Sequence, residues 1–577
     1  ADGRTGRLLW QFDPDLAHHV MGRRSVIWNG NRGLAFWKGK VYVGTVDGRL
    51  VALDAKTGRV VWSVPTFDEA NTLKTISGAP RVFNGKVIIG HGGESGTRGY
   101  VTTYDAETGR KLWRFYTVPG DPAKGFENDA MAIAAKTWHG EWWKHGGNGT
   151  VWDSITYDPD FNRVYLATAN GTPVDANQRG SGGGDNLFVA SIVALDADTG
   201  RYAWHYQVNP GEMWEYDATA QMVLADLPIR GRARKVLMQA PKNGFFYVID
   251  RADGRLISAE KLGKVTWAER IDLKSGRPVE APGIRYKDDD KGDPIVIWPS
   301  AFGMHNWQAM SFDPVTGLVY IPTMKLGMSI GAHTGDINPR EPGDGTASLL
   351  AWDPVTKHKR WEVKLGESFW NGGTLATAGN LVFQGTGSGY FNAYNATTGQ
   401  KLWSFNAGLG VNAAPMTYAV DGVQYVSVLV GYGGTINVTR VRDYGWRYGE
   451  QPRRLLSFAL GNSTALPPGQ PPRFNVNAID LPSLVIDTKL AAEGAKGYGS
   501  SCALCHGIEM RNIASFARDL RESRLAATWE GFKSVVHGGS LFSLGMPKFD
   551  DLSDDDLRAL YMYIRQKARE AALGSQQ

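Results

Sequence analysis

One phrase recurs along the first 460 residues, and it restricts the fold more than any other feature. It reads "DGRTGRLLW" at 2–10, "ALDAKTGRVVW" at 52–62, "TYDAETGRKLW" at 103–113, "ALDADTGRYAW" at 194–204, "AWDPVTKHKRW" at 351–361 and "AYNATTGQKLW" at 393–403. Weaker copies are "VIDRADGRLIS" at 248–258 and "SFDPVTGLVYI" at 311–321. Each joins an alternating strand to a second strand through a turn that most copies write Asp-x-x-x-Gly. A Trp four residues beyond the Gly then offers a large aromatic. Strand–turn–strand units at a period of roughly 40–50 residues are the signature of a β-propeller, one four-stranded sheet per blade. A long β-sandwich array does not explain the fixed Gly-to-Trp spacing. "FNGKVIIG", "WKGKVYVG" and "AVDGVQYVSVLVG" supply further hairpins. No signal peptide opens the chain, and its first copy begins at its own second position, so preceding strands are expected upstream of residue 1.

At 577 residues the chain is too long for one ordinary core, and a second, smaller domain is expected. Its 71 glycines, 20 tryptophans and 21% charged residues suit many tight turns around a filled β interior. A net charge of +5 with no basic run gives no stripe for nucleic acid. No apolar stretch approaches the roughly 18 residues of a membrane span.

The two cysteines of the chain, Cys502 and Cys505, lie in "GSSCALCHG" and are followed at once by His506. C-x-x-C-H is the attachment signature of a c-type haem: both thiols add to the porphyrin vinyls and the histidine reaches the iron. A redox pair or half a zinc site is the rival, but zinc would want two more close ligands and the next histidine is His537. Met546, followed by Pro547, stands between this motif and a final helix and is expected as the second axial ligand. A Met/His pair raises the potential, which suits electron transfer. Ser553 and Asp556 form a capping box, and Leu557, Leu560, Tyr561 and Ile564 follow a 3.6-residue period. The expected organisation is a propeller over 1–460, a Pro-rich linker over 461–484 and an all-α cytochrome c domain over 485–577.

Together, "RGYVTTYDAETGRKLWRFYTVPGDP", "WNGGTLATAGNLVFQGT" and the haem motif resemble the pyrroloquinoline quinone (PQQ)-dependent alcohol dehydrogenases, specifically the soluble quinohaemoproteins. The resemblance implies an all-β, eight-bladed propeller with tryptophan-docking repeats, followed by a small cytochrome c domain. It places Trp152 under the cofactor and Thr150, Arg32, Lys242, Ser77, Gly92, Gly93, Trp370 and Asn371 around it. Lys242 would lie beside the quinone oxygens, where positive charge stabilises the reduced form. Glu94, Asn170, Glu215 and Asp217 are the implied metal ligands, for Ca²⁺ or a lanthanide.

The chain departs from that pattern twice. Glu215 stands where relatives carry the aspartate that serves as catalytic base, and Asp217 stands where lanthanide-using relatives carry an extra carboxylate. Either could take the alcohol proton. Val26 and Ile27 replace the adjacent cysteines whose strained ring lies against the quinone in relatives. The implied activity is oxidation of an alcohol, with electrons passed through the haem to an external one-electron acceptor, a cytochrome or a blue copper protein, in the periplasm. A sugar, polyol or aldehyde dehydrogenase of the same type, or a non-catalytic electron-transfer propeller, are the alternatives.

Overall fold

The computed structural model describes residues 1–16, 30–68, 74–93, 96–180, 183–286, 294–330, 337, 339–366, 370–431, 453–461, 463–467, 476–510, 517–544 and 546–574. The recurring phrase explains its architecture from one turn upward. In the copy at 52–62, Asp54 Oδ1 accepts hydrogen bonds from the Thr57 N–H and hydroxyl, both at 2.8 Å, and from the Lys56 N–H at 3.1 Å. Gly58 closes the turn at φ +71°, and a Cβ there would stand 2.5 Å from the ring of Trp10. The glycine is thus required twice, for the left-handed backbone and for the docked indole. Four of these indoles also donate across to the following sheet: Trp10 to the Ala55 carbonyl at 2.9 Å, Trp62 to Ala106 at 3.2 Å, Trp204 to Arg251 at 3.2 Å and Trp361 to Ala396 at 3.0 Å.

Repetition of this unit gives six four-stranded antiparallel sheets, over 35–65, 81–116, 155–207, 222–261, 311–364 and 374–406, and a three-stranded one over 416–459. Their faces are apolar and pack sheet on sheet. Tyr42 and Leu50 of the first meet Val87, Ile89 and Tyr104 of the second, and Val236 and Met238 of the fourth meet Val319, Ile321 and Trp352 of the fifth. Burial of each such side chain contributes about 1.5–3 kcal/mol, so the inter-sheet cores hold the propeller together. Residues 2–10 stand beside the three-stranded sheet. The Tyr418 hydroxyl donates to the Gly3 carbonyl at 2.8 Å, and Arg4 lies 3.6 Å from Asp421. With Trp10 docked on the first blade, this segment joins the last sheet to the first. Seven sheets of three or four strands, the size of a blade, are seen among the described residues, against the eight blades that the resemblance implies.

The C-terminal unit is helical. Ser553 and Asp556 cap each other with two bonds of 3.1 Å at the head of the last helix, Asp554–Gly574, whose Leu557, Leu560, Tyr561 and Ile564 are buried. This helix crosses Thr488–Ser501 at Gly494, where a Cβ would meet the Ala559 carbonyl at 1.9 Å. Arg565 donates to the Ile479 carbonyl and Arg569 to those of Leu481 and Leu484. Residues 479–484, placed in the linker by the sequence reading, therefore dock on the helical unit. No helix among the described residues is long and apolar enough to cross a membrane.

Candidate active site

The expected cofactor residues lie on loops between strands of different sheets, and the backbone ties those loops together. Gly92–Gly93 pairs with Lys74–Thr75, and Asn148 donates from its amide to the Gly93 carbonyl at 3.2 Å. Gly147–Asn148 pairs in turn with Gly171–Thr172, and the Ala169 N–H donates to the Thr150 carbonyl at 2.8 Å. This short lattice sets Thr150 and Trp152 beside Asn170. Glycines make room: a Cβ on Gly78 would fall 2.5 Å from the Trp152 carbonyl oxygen, and one on Gly92 would touch the Trp152 Cβ at 3.3 Å.

Arg32 forms the first cluster. Its Nη1 donates to the Ser77 hydroxyl at 2.7 Å, and its guanidinium carbon lies 4.7 Å from the Trp152 ring centre and 5.0 Å from that of Trp307. A guanidinium against indole faces is a favourable cation–π arrangement. Burial lowers its pKa while Asp153 raises it, and burial likewise raises Asp153. The Arg32 Nε–H is buried without a hydrogen-bond partner.

Lys242 and Asp217 form the second cluster. Lys242 Nζ is 2.5 Å from Asp217 Oδ2 and donates to the Glu215 carbonyl at 3.1 Å. Asp217 Oδ1 accepts from the Asn170 N–H at 2.7 Å. Both side chains are buried, and although burial lowers the ammonium pKa, Asp217 and Glu215 outweigh it and raise it. Glu215 takes a left-handed φ of +64°, and its side chain is exposed. Met304 N–H donates to the Lys242 carbonyl at 3.1 Å, which brings the segment carrying Trp307 to this cluster. Asn371 approaches from the far side of that segment: its side chain accepts from the Gly387 N–H at 3.0 Å, and the Thr374 N–H reaches the Ala309 carbonyl at 2.7 Å. Trp370, beside it, meets Phe302 edge-on at 5.6 Å.

Arg32, Ser77, Thr150, Trp152, Asn170, Asp217, Lys242, Trp370 and Asn371 thus belong to one neighbourhood. Glu94, Val26 and Ile27 lie outside the described residues. The residue types fit an anionic aromatic quinone: the orphaned Arg32 N–H is a donor for a carboxylate, and the indoles are flat partners for a planar ring. For a hard cation, Asp217 beside Asn170 is an oxygen donor of the right kind, but among the described residues no three His, Cys, Asp or Glu side chains gather as a metal site. Trp307 and Glu212 were not legible in the sequence, the first as one of 20 tryptophans, the second as a carboxylate outside any motif.

In the helical unit, Cys502 precedes the short helix Ala503–His506 and Cys505 and His506 lie on it. The ring of His506 is buried, and its Nδ1 is 2.9 Å from the Arg518 carbonyl, which makes Nδ1 the protonated nitrogen and turns Nε2 toward a ligand position. Burial lowers its pKa, favouring the neutral form that binds metal. Met546 packs on the same apolar core as Cys502. These donors fit a covalently attached haem.

Comparison with known proteins agrees. The family model described as "Glucose/ethanol/alcohol dehydrogenase, beta-propeller domain" matches residues 1–261 and 335–426, and that described as "Cytochrome C oxidase, cbb3-type, subunit III" matches 489–564. The chain is 48% identical to quinohemoprotein alcohol dehydrogenase ADH IIB of Pseudomonas putida, over 99% of this chain and 84% of that one. The solved structure of ADHIIG from the same organism superposes with a TM-score of 0.87 at 43% identity, over 99% of this chain and 86% of that one. A europium-containing methanol dehydrogenase superposes with a TM-score of 0.66 at 33% identity, over 76% and 79%.

Proposed function

The chain belongs to the PQQ-dependent quinohaemoprotein alcohol dehydrogenase family, and from that premise we infer that it oxidises an alcohol to an aldehyde or ketone and delivers the electrons through its haem. Bound PQQ supplies the two-electron acceptor, a bound Ca²⁺ or lanthanide ion a Lewis acid, and haem c a one-electron outlet. Glu94, Asn170, Glu215 and Asp217 would hold the ion; Arg32, Ser77, Gly92, Gly93, Thr150, Trp152, Lys242, Trp370 and Asn371 would hold the quinone; Cys502, Cys505, His506 and Met546 would hold the haem.

The observation that carries the reading is the buried Asp217–Lys242 pair at 2.5 Å, set beside Asn170 and a step away from Arg32 and Trp152. Asp217 takes the hydroxyl proton of the alcohol. Lys242 pairs with that carboxylate and offers a positive charge where negative charge develops. Glu215 lends its carbonyl to Lys242 at 3.1 Å, and its carboxylate adds to the negative charge that raises the Lys242 ammonium pKa. The indoles fix the plane of the bound quinone and exclude water from its faces. Propeller over 1–460, linker over 461–484 with its residues 479–484 docked on the helical unit, and cytochrome over 485–577 is the proposed division, with an eighth blade, a periplasmic location and an external one-electron acceptor as further parts of this reading.

The test is reduction of the haem by alcohols in protein reconstituted with PQQ, with Ca²⁺ and a light lanthanide in parallel. Reduction that needs both PQQ and metal is expected. A haem that reduces chemically but with no alcohol, sugar or aldehyde in the presence of either metal would sink the catalytic reading.

A further inference from the structure

We propose that Glu212 is the positioning residue that shapes the loop presenting Asp217 to Lys242, and that Arg179 locks it to the segment carrying Asn170. This rests on the reading of Asp217 above. One oxygen of Glu212, Oε1, accepts from two alternate backbone N–H groups, Trp214 at 2.6 Å and Tyr216 at 2.8 Å. Gripping both with one atom folds the chain between them. Glu215, the residue enclosed, is driven to φ +64°, and the side chains of Trp214 and Tyr216 are buried while that of Glu215 is exposed. The Asp217 N–H then closes on the Glu215 carbonyl at 3.1 Å, which leaves the Asp217 carboxylate on Lys242.

The second half of the brace is a buried guanidinium. Arg179 Nη2 donates to the Glu212 carbonyl at 2.5 Å, Nη1 to the Pro173 and Val174 carbonyls at 2.7 and 3.1 Å, and both Nε and Nη2 to Asn186. Its Cζ would stand 2.4 Å from a Cβ on Gly171, the residue after Asn170. One side chain therefore spans the two segments that present Asn170 and Asp217. Three further bonds hold the loop: Tyr216 to the Pro299 carbonyl at 2.6 Å, Tyr286 to that of Met213 at 2.8 Å and Arg285 to that of Gly211 at 2.8 Å. The left-handed turn at a non-glycine residue is strained on its own. Glu212 is the group whose removal releases it.

Two substitutions make opposite demands. Glu212→Gln keeps the length and an acceptor oxygen but removes the charge. Glu212→Asp keeps the charge but withdraws the acceptor by one methylene. Tryptophan-sensitised Tb³⁺ luminescence of the metal-free full chain reads the cation site without turnover, with Asp217→Asn as reference and near-ultraviolet circular dichroism as the check on folding. The expected result is that Asp217→Asn and Glu212→Asp each weaken Tb³⁺ binding at least tenfold, while Glu212→Gln stays within threefold of the parent; alcohol-driven kcat falls in Glu212→Asp with KM little changed. If Glu212→Gln loses binding and Glu212→Asp keeps it, charge rather than reach matters and the positioning role is wrong. Equal binding in both variants, whatever their stability, overturns it as well. Unchanged binding in Asp217→Asn instead removes the reading of Asp217, and this proposal with it.

Discussion

In the proposed mechanism a single pair of side chains carries most of the chemistry, and its energetics are those of buried charge. Lys242 and Asp217 are both enclosed, so removing one leaves the other desolvated and unpaired, which costs about 3–5 kcal/mol. Lys242→Met is expected to lose that stability and to lower the melting temperature. The sign of its pH dependence follows from the raised ammonium pKa. A cation with a raised pKa stabilises the fold fully below the ordinary lysine value of about 10.4 and loses that contribution only as pH rises through the still higher folded value. The contribution of the ammonium itself should therefore be constant from about pH 6 to pH 9, and a Lys242→Met penalty that grows with pH inside that window, read as melting temperature, is the expected mark of the carboxylate left buried and unpaired. Of the two carboxylates, Asp217→Asn should slow alcohol-driven haem reduction by about 10²–10⁴-fold, as loss of a general base does, and Glu215→Gln by less than about tenfold. Stopped-flow haem absorbance distinguishes them, and the reverse order would make Glu215 the base. Sequence reading brought both residues forward but could not choose between them. In the proposed reading the choice rests on the Asp217–Lys242 contact, and a contact between distant stretches of chain leaves no mark in composition or spacing.

The elements repeat, and so do the reasons for their stability. In three of the turns the Asp is held below the ordinary carboxylate range, first by a threonine hydroxyl: Thr57 for Asp54, Thr108 for Asp105 and Thr199 for Asp196. A depressed carboxylate stabilises the fold above its unfolded value of about 3.9 and loses that contribution as pH falls through the lower folded value. Replacing all three by Asn should flatten the loss of stability between about pH 4 and pH 3 while the parent falls steeply, read as denaturation midpoints. The docked tryptophan is a second device. Gly85 and Gly200 have nearly the same φ, +72° and +71°, but a Cβ on Gly85 meets nothing within 4 Å and one on Gly200 would stand 2.6 Å from the Trp113 ring. Gly85→Ala should cost about 1–2 kcal/mol of backbone strain, and Gly200→Ala about 1–3 kcal/mol more for the displaced indole. Equal melting temperatures would deny Trp113 its docking role. This level was the most legible, because a turn that needs Asp, Gly and Trp at fixed spacing writes itself into every copy. Arg179, Trp307 and the docking of 479–484 were not, because each acts on a partner from a distant stretch of chain.

At the scale of the whole molecule, the sequence order of a propeller and a haem unit poses a matching problem. Alcohol oxidation releases two electrons together, and a haem accepts one at a time. What the C-terminal unit controls is whether its iron is a good enough acceptor. Histidine alone does not set that level; a thioether opposite it raises the potential. Met546 lies against the apolar core that encloses Cys502, Tyr498 and Phe549, and Met546 N–H is anchored to the Leu541 carbonyl at 3.2 Å. Leucine fills similar volume without a ligating sulfur, so Met546→Leu tests the ligand while sparing the packing. The haem midpoint potential should fall, and alcohol-driven haem reduction should slow in proportion. Oxidation measured with an artificial dye that takes electrons at the propeller should be preserved, since Asp217, Lys242 and Arg32 are untouched. Loss of both activities together would mean that the two units are not separable steps of one electron path, and an unchanged potential would mean that Met546 is packing and not a ligand.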